Sequence, residues 1–128
     1  MEAILIGETG KTPFINFDGQ NGILEIKGKS IPENPIEFYE PLWDWLDEYI
    51  NNAPPKIKTS VQLKYINSSS LKCLITIFKK LKELKNKNES TEITINWYYG
   101  VDDEDMYDTG KECEELTGIP FNMIETED

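Results

Sequence analysis

Three consecutive hydroxyls, Ser68, Ser69 and Ser70, lie where the hydrophobic pattern changes from that of a strand to that of a helix. The run 60–66 is strand-like, and apolar residues then recur at helical spacing: Leu71, Leu74, Ile75, Phe78 and Leu81. The first backbone N–H groups of a helix have no partner within the helix. This corner can therefore serve as a plain N-cap, an anion site or a phosphorylation switch.

Two of these interpretations lead to different functions. In the simpler one, a serine caps the helix and the other hydroxyls face solvent. In the other, a serine accepts a phosphate, which adds about −1.5 to −2 charges and three strong acceptor oxygens. A helix N-terminus favours such a charge by roughly 0.3–1 kcal/mol. Phosphorylation here would change the surface more than the fold, and the residues alone leave both interpretations open.

A second set of reactive side chains is the acidic run Asp102, Asp103, Glu104 and Asp105. Carboxylates are the ligands that Mg²⁺ prefers, so a metal-dependent enzyme is one hypothesis. The spacing lacks the pattern of a calcium loop, however, and acidic residues also favour the start of a helix. A solvated acidic turn and a contact for a basic partner are the other interpretations, and we predict no metal site.

Composition narrows the class of protein. The 128 residues are 38% hydrophobic, carry a formal net charge of −11 and include no histidine. This charge disfavours binding to nucleic acid or to an anionic membrane surface, and the lack of histidine removes the commonest general base. Cys73 and Cys113 fall in predicted helices and are expected to be reduced thiols. With no signal peptide, membrane span or cofactor motif recognised, we predict a cytoplasmic protein without a cofactor.

The chain is predicted to form one domain, 1–128, with the order β-β-β-α-β-α-β-α-β. The predicted strands are 3–6, 12–17, 22–27, a strand within 56–66, 91–99 and 121–125. The predicted helices start near Asn34, Leu71 and Asp102, and they end before 51, near 85 and near 117. Gly118 is the predicted stop of the third helix. Asn34 is the predicted cap of the first helix, while Pro41 predicts a kink or a second helix start.

The second half of the chain alternates strands and helices, which predicts an α/β fold with a mixed sheet. If the strands that end at Ile66 and Tyr99 are parallel, their carboxyl ends lie at one edge of the sheet. Ser68 and the acidic run would then share a rim, where α/β proteins tend to place their sites.

Several segments together resemble one protein family. They are Thr12-Pro13, Gly28-Lys29-Ser30-Ile31-Pro32-Glu33-Asn34, Phe38-Tyr39-Glu40-Pro41-Leu42, Tyr65-Ile66-Asn67-Ser68-Ser69-Ser70, and Trp97-Tyr98-Tyr99 followed by Asp102-Asp103-Glu104-Asp105. In order and spacing they are similar to the SiaC-type bacterial regulatory phosphoproteins, single-domain proteins with a STAS-like fold. The resemblance covers nearly the whole chain.

The resemblance implies a non-enzymatic, partner-switching protein. It implies phosphorylation at the hydroxyl that follows the Asn of the motif, here Ser68, with Ser69 or Ser70 as the helix cap or as alternative phosphorylation sites. A protein kinase would add the phosphate and a PP2C-like phosphatase would remove it. The unphosphorylated protein would bind and activate a diguanylate cyclase.

The competing hypothesis is a constitutive adaptor in which Ser68 is only a cap.

Candidate partner-binding residues surround the corner: Tyr65, Asn67, Ser30, Glu33, Asn34, Asp102, Asp103 and Asp105.

Overall fold

The computed structural model describes residues 1–127 and consists of one mixed β-sheet with three helices. The strands are β1 (Ile4–Ile6), β2 (Phe14–Asp18), β3 (Ile23–Ser30), β4 (Lys56–Ile66), β5 (Glu92–Gly100) and β6 (Phe121–Thr126). The helices are α1 (Pro35–Tyr49), α2 (Ser68–Lys87) and α3 (Glu104–Thr117), with a single 3₁₀ turn, Ile50–Asn52, after α1. The predicted element order and the α/β class are confirmed.

The six strands are arranged in the order of the sequence, β1-β2-β3-β4-β5-β6. Strands β1 to β3 are antiparallel, whereas β3 to β6 are parallel and joined by the three helices. Crossovers between parallel strands are right-handed, and these three all advance in the same direction across the sheet. The helices therefore lie on one face, where α2 contacts both α1 and α3.

Alternation along the strands separates the core from the uncovered face. In β3, Leu24 and Ile26 are buried towards the helices, while Glu25 and Lys27 are partly exposed on the opposite face. The core beneath the helices is rich in aromatic side chains, and its largest wholly buried members include Trp97, Tyr39, Tyr49, Phe17 and Phe78.

All three helices begin with the same capping geometry. The side-chain oxygens of Asn34, Asn67 and Asp103 accept the backbone N–H of the residue three positions on, at 3.2, 2.9 and 3.0 Å respectively. The predicted Asn34 cap is confirmed. Of the two alternatives predicted for Pro41, a kink or a second helix start, the second start is wrong, because α1 passes through Pro41 as one helix. At the other end of α3, Gly118 adopts a left-handed conformation with φ of 79° and ends the helix as predicted.

The prediction that a serine caps α2 is wrong. Asn67 has an extended backbone and occupies the cap, so α2 begins at Ser68, three residues earlier than the hydrophobic pattern indicated. Asparagine, with its carbonyl oxygen, competes well for this position. The three serines consequently form the first turn of the helix.

Both cysteines are buried and free, in α2 and α3 as predicted. Within residues 1–127, no helix combines the length and the apolar character needed to cross a bilayer.

Candidate functional site

The first turn of α2 separates its three hydroxyls by exposure. Ser68 and Ser69 are exposed, whereas Ser70 is 0% exposed and its hydroxyl has no hydrogen-bond partner within the described residues. A modifying enzyme can reach the first two hydroxyls without rearranging the core. Ser70, one of the predicted alternative phosphorylation sites, is not accessible to such an enzyme.

The α2 corner is anchored from behind by the end of β3. The backbone N–H of Asn67 donates to the carbonyl oxygen of Ser30 at 3.2 Å. The Ser30 hydroxyl in turn is 2.6 Å from the phenol oxygen of Tyr39, and both side chains are wholly buried. Burial raises the pKa of Tyr39 to about 12, so this phenol stays protonated and holds the end of β3 against α1.

This anchoring corrects one predicted site residue. Ser30 was a candidate for direct partner binding, but its side chain is 0% exposed. It positions the corner through its backbone carbonyl and its contact with Tyr39.

A groove runs between the start of α1 and the first turns of α2, with a volume of about 420 Å³. We call it the α1–α2 groove, and its lining residues are Glu33, Asn34, Pro35, Ile36, Trp43, Ser69, Lys72, Cys73 and Thr76. Three predicted site positions thus come together: Glu33 and Asn34 on one wall and Ser69 on the other. Ser68 directly precedes Ser69 in the chain but is not itself among the lining residues.

Trp43, one of the lining residues, joins the two sides of the groove. Its indole N–H donates to the carbonyl oxygen of Cys73 at 3.1 Å, which links α1 to α2. Burial raises the pKa of the Cys73 thiol, which makes this cysteine a packing residue rather than a nucleophile. Of the two tryptophans in α1, Trp43 is the more exposed, while Trp45 is buried against Phe17 and Tyr49.

Ile36 and Lys72 are among the groove residues that the sequence analysis did not identify as site residues. Ile36 is 57% exposed at the start of α1, and its apolar character does not by itself indicate a surface position. Lys72 lies one helical turn after Ser68, and this i,i+4 spacing was the signal available in the sequence.

The loop between β1 and β2 completes the rim beside the groove. The carbonyl oxygen of Lys11 accepts the backbone N–H of Ile31 at 2.8 Å. The Lys11 ammonium lies 3.4 Å from the carboxylate of Glu33, and both side chains are largely exposed. Such an ion pair contributes little to stability, so Glu33 remains available to a partner.

The acidic run forms a second corner, between β5 and α3. Asp103 caps α3, while Asp102 and Asp105 are exposed. Asp103 lines a separate groove of about 750 Å³ together with Lys64 and Tyr98. Tyr65, 54% exposed, lies near the end of β4, three residues before Ser68.

The predicted shared rim is confirmed in part. Strands β4 and β5 are parallel, so both corners lie at the same edge of the sheet. Strand β4, however, continues to Ile66, four residues beyond its last pairing with β5 at Gln62. At about 3.3 Å per residue, the α2 corner stands beyond the acidic corner, and the two line different grooves.

The charges of the three helices alternate. Helix α1 carries five carboxylates and no cation, α2 carries six lysines and one glutamate, and α3 carries six carboxylates and one lysine. Within residues 1–127, no cluster of three or more potential metal ligands is present. The α2 corner is thus a neutral, hydroxyl-bearing start to a basic helix, between two acidic helices.

These features define a small α/β module whose distinctive surface is an exposed hydroxyl corner beside a groove between two helices. Comparison with known proteins identifies the family of this module. The family model for "SiaC family regulatory phosphoprotein" matches residues 6–126. The chain therefore belongs to the SiaC family, as its motifs predicted.

Individual relatives agree with this assignment. A protein of Pseudomonas aeruginosa (strain UCBPP-PA14), named only as uncharacterized, is 28% identical over 121 residues, which is 94% of each chain. The crystal structure of apo-SiaC from Pseudomonas aeruginosa is 27% identical, with 97% of this chain and 99% of that chain covered and a TM-score of 0.84.

A third similar structure includes a partner. It is the complex of the diguanylate cyclase SiaD with its activator SiaC from Pseudomonas aeruginosa. The similarity is 27% identity over 96% of this chain and 99% of that chain, with a TM-score of 0.86.

Proposed function

We propose that this protein is a non-enzymatic regulator that binds and activates a diguanylate cyclase while Ser68 is unmodified and releases it when Ser68 is phosphorylated. A protein kinase adds the phosphate and a PP2C-like phosphatase removes it. Membership of a family of regulatory phosphoproteins supports the regulatory role. The solved complex of a similar protein with a diguanylate cyclase supports the class of partner.

The single observation that supports Ser68 as the switch is its freedom from any structural role. The exposed Ser69 shares this property, so the choice between the two hydroxyls rests on the position of Ser68 directly after the Asn of the motif. Asn67 caps the helix, so the Ser68 hydroxyl is not needed for capping, and it is exposed at the first helical position. This argues against the constitutive adaptor in which Ser68 is only a cap. It also distinguishes Ser68 from Ser70, which is buried.

The mechanism follows from the neutral character of the corner. A partner can pack closely over an unmodified hydroxyl and the adjoining groove. A phosphate at the same place would have to be desolvated, and burying an unmatched charge costs several kcal/mol. A loss of about 3 kcal/mol weakens binding more than a hundredfold.

The competing metal-dependent enzyme is less well supported. Its proposed ligand Asp103 already accepts the N–H of Met106 as the cap of α3. Thermal melting with and without Mg²⁺ or Mn²⁺ tests it, because a shift that Asp102→Asn and Asp105→Asn abolish would favour a metal site.

The proposal is tested first by peptide mass spectrometry on the protein from its native host, with and without phosphatase inhibition. Phosphate on Ser68 is expected. Its absence under varied growth conditions would favour the constitutive adaptor.

Binding is then compared among Ser68→Ala, Ser68→Asp and the matched control Ser90→Asp, an exposed serine outside the corner. Ser68→Ala and Ser90→Asp should retain a diguanylate cyclase and raise its activity, whereas Ser68→Asp should retain it poorly. Equal retention by all three variants would contradict exclusion by charge.

A further inference from the structure

Lys72 is the residue of the α1–α2 groove that can respond to a charge on Ser68. The two residues are four positions apart in α2, so their side chains are neighbours on the helix surface. Lys72 is exposed, and it is the one cation among the lining residues of this groove in the described chain. Within residues 1–127 it makes no ion pair.

Two of the other five lysines of α2, Lys80 and Lys85, have partners of their own. Lys80 is 2.6 Å from a carboxylate oxygen of Asp47 in α1. The ammonium of Lys85 donates to the carbonyl oxygens of Glu89 and Thr91, at 2.8 and 2.6 Å. The chain contains no arginine, so any intramolecular counterion for a phosphate at Ser68 is a lysine, and Lys72 is one helical turn away.

The groove itself indicates what a partner presents to Lys72. Ile36 and Trp43 offer apolar surface, and the ammonium of Lys72 lies on the facing helix. The complementary segment carries an apolar side chain beside a carboxylate that faces Lys72, and a hydrogen-bond donor or cation for the Glu33 carboxylate that lines the same groove. A basic segment would instead leave Lys72 facing a like charge.

Resting on the proposed function, we infer that Lys72 is the residue through which the state of Ser68 is read. With Ser68 unmodified, the Lys72 ammonium binds a carboxylate of the partner at the α1–α2 groove. With Ser68 phosphorylated, the same ammonium pairs with the phosphate and is withdrawn from the partner. The partner then loses its counterion and also meets the negative charge of the phosphate.

The decisive experiment uses the purified full chain with phosphoserine incorporated at position 68 during translation, so that neither kinase nor partner is required. The phosphate is titrated by ³¹P NMR in this protein and in its Lys72→Gln and Lys79→Gln forms. Lys79 is an exposed lysine two turns further along α2 and serves as the matched control.

An adjacent ammonium favours the dianionic phosphate. Its removal in Lys72→Gln should therefore raise the midpoint pH of the titration, by about 0.3 for an exposed pair of this spacing. Lys79→Gln should leave the midpoint unchanged. A midpoint in Lys72→Gln equal to that of the parent protein would overturn the inference. A rise of the same size in Lys72→Gln and Lys79→Gln would also overturn it, because it would show only a long-range effect of charge.

The indole N–H resonance of Trp43, a lining residue of the groove, provides a second measurement. Phosphorylation should shift the indole N–H resonance of Trp43 in the parent protein and shift it less in Lys72→Gln. The resonances of the buried Trp45 and Trp97 serve as internal references. If phosphorylation shifts the Trp43 resonance equally in the parent and in Lys72→Gln, Lys72 does not couple the phosphate to the groove. That result would contradict the withdrawal of Lys72 from the partner.

The partner half of the inference is tested in unphosphorylated protein, with the diguanylate cyclase retained by Ser68→Ala as the probe. Lys72→Gln should weaken its binding several-fold and Lys72→Glu further, while Lys79→Gln should bind like the parent. Unchanged binding by Lys72→Glu would overturn this half. Self-association lost in Lys72→Glu would instead assign the groove to a second copy.

These outcomes separate the inference from the proposed function. If Ser68 carries no phosphate in the host, the proposed switch fails even when the ³¹P titration reveals the Lys72 pair. If phosphorylation occurs and releases the cyclase while the titration ignores Lys72, the switch stands and the inference fails.

Discussion

The corners that begin α2 and α3 share a geometry but differ in chemistry. Each follows a parallel strand at the same sheet edge, and each is capped by an Asx side chain at about 3 Å from the third helical N–H. The cap of α2 is neutral and is followed by exposed hydroxyls and a basic helix. The cap of α3 is an aspartate within an acidic helix.

This difference shows why one corner suits a reversible charge and the other does not. The dipole at the start of α3 is already matched by Asp103, Glu104 and Asp105. The start of α2 has no acidic residue in its first turn, so an added phosphate changes its charge from neutral to negative. A phosphorylation switch requires a helix start whose dipole is not already matched by carboxylates.

The largest expected effect on either corner comes from a change in the packing of α3. A Cβ at Gly110 would lie 2.5 Å from the ring of Trp97, which is wholly buried. Gly110→Ala should therefore lower the free energy of unfolding by about 3 kcal/mol, at the upper end for overpacking. Urea unfolding measures it, with the partly exposed Thr109→Ala as control. A loss no greater than the control's would show that α3 can shift away from β5.

The anchoring of the α2 corner gives the next largest effect. Tyr39→Phe removes the partner of the buried Ser30 hydroxyl, and an unsatisfied buried group costs about 1–3 kcal/mol. The double variant Tyr39→Phe/Ser30→Ala should recover part of that loss, as urea unfolding of all three variants would show. No recovery would mean that the pair does not act as a unit.

The same phenol predicts an alkaline loss of stability. Burial raises the pKa of Tyr39 from its ordinary 10.0 to about 12, so the folded state favours the protonated form. Its contribution is complete below pH 10 and is lost as pH rises towards 12. The stability difference between the parent and Tyr39→Phe should therefore narrow across this window in urea unfolding at successive pH values. If the stability difference between the two proteins does not change with pH, other titrating groups cause the alkaline loss of stability.

The two caps should be of similar strength despite their different charges. Asn67→Ala and Asp103→Ala should each lower the free energy of unfolding by about 1 kcal/mol, as measured by thermal or urea unfolding. Ser68→Ala should have almost no effect, because that hydroxyl does not cap. A large loss in Ser68→Ala would restore the serine to a structural role.

The smallest effect sharpens the electrostatic contrast. Ser68→Glu should raise the free energy of unfolding by roughly 0.3–1 kcal/mol, because it adds a negative charge to an unmatched helix start. Thermal melting at low salt measures this, with Ser90→Glu as control. A destabilised Ser68→Glu would show that charge at this corner disturbs the fold and not only its surface.

Local sequence signals predicted much of this arrangement. Periodicity fixed the order of elements, and Asn34 and Gly118 marked a helix start and end because their backbone roles are specific. The α2 start was misplaced because four consecutive residues, from Asn67 to Ser70, can all cap a helix. Only tertiary packing decides among them, by burying Ser70 and tying Asn67 to β3.

The α1–α2 groove was not predictable for the same reason. Whether Ile36 is buried depends on the angle between two helices, which hydrophobic spacing does not specify. The extension of β4 beyond β5 likewise results from its separate pairing with β3. The sequence predicted the hydroxyl corner, whereas the surface beside it depends on long-range contacts.

The sequential strand order has a consequence for how the chain is made. Each strand pairs with the strand before it, so no later segment has to insert between two earlier ones. During synthesis from the N-terminus, β1 to β3 can pair first, and each helix–strand unit can then dock on the free edge of the growing sheet. Assembly can follow translation step by step, with β6 completing the sheet last.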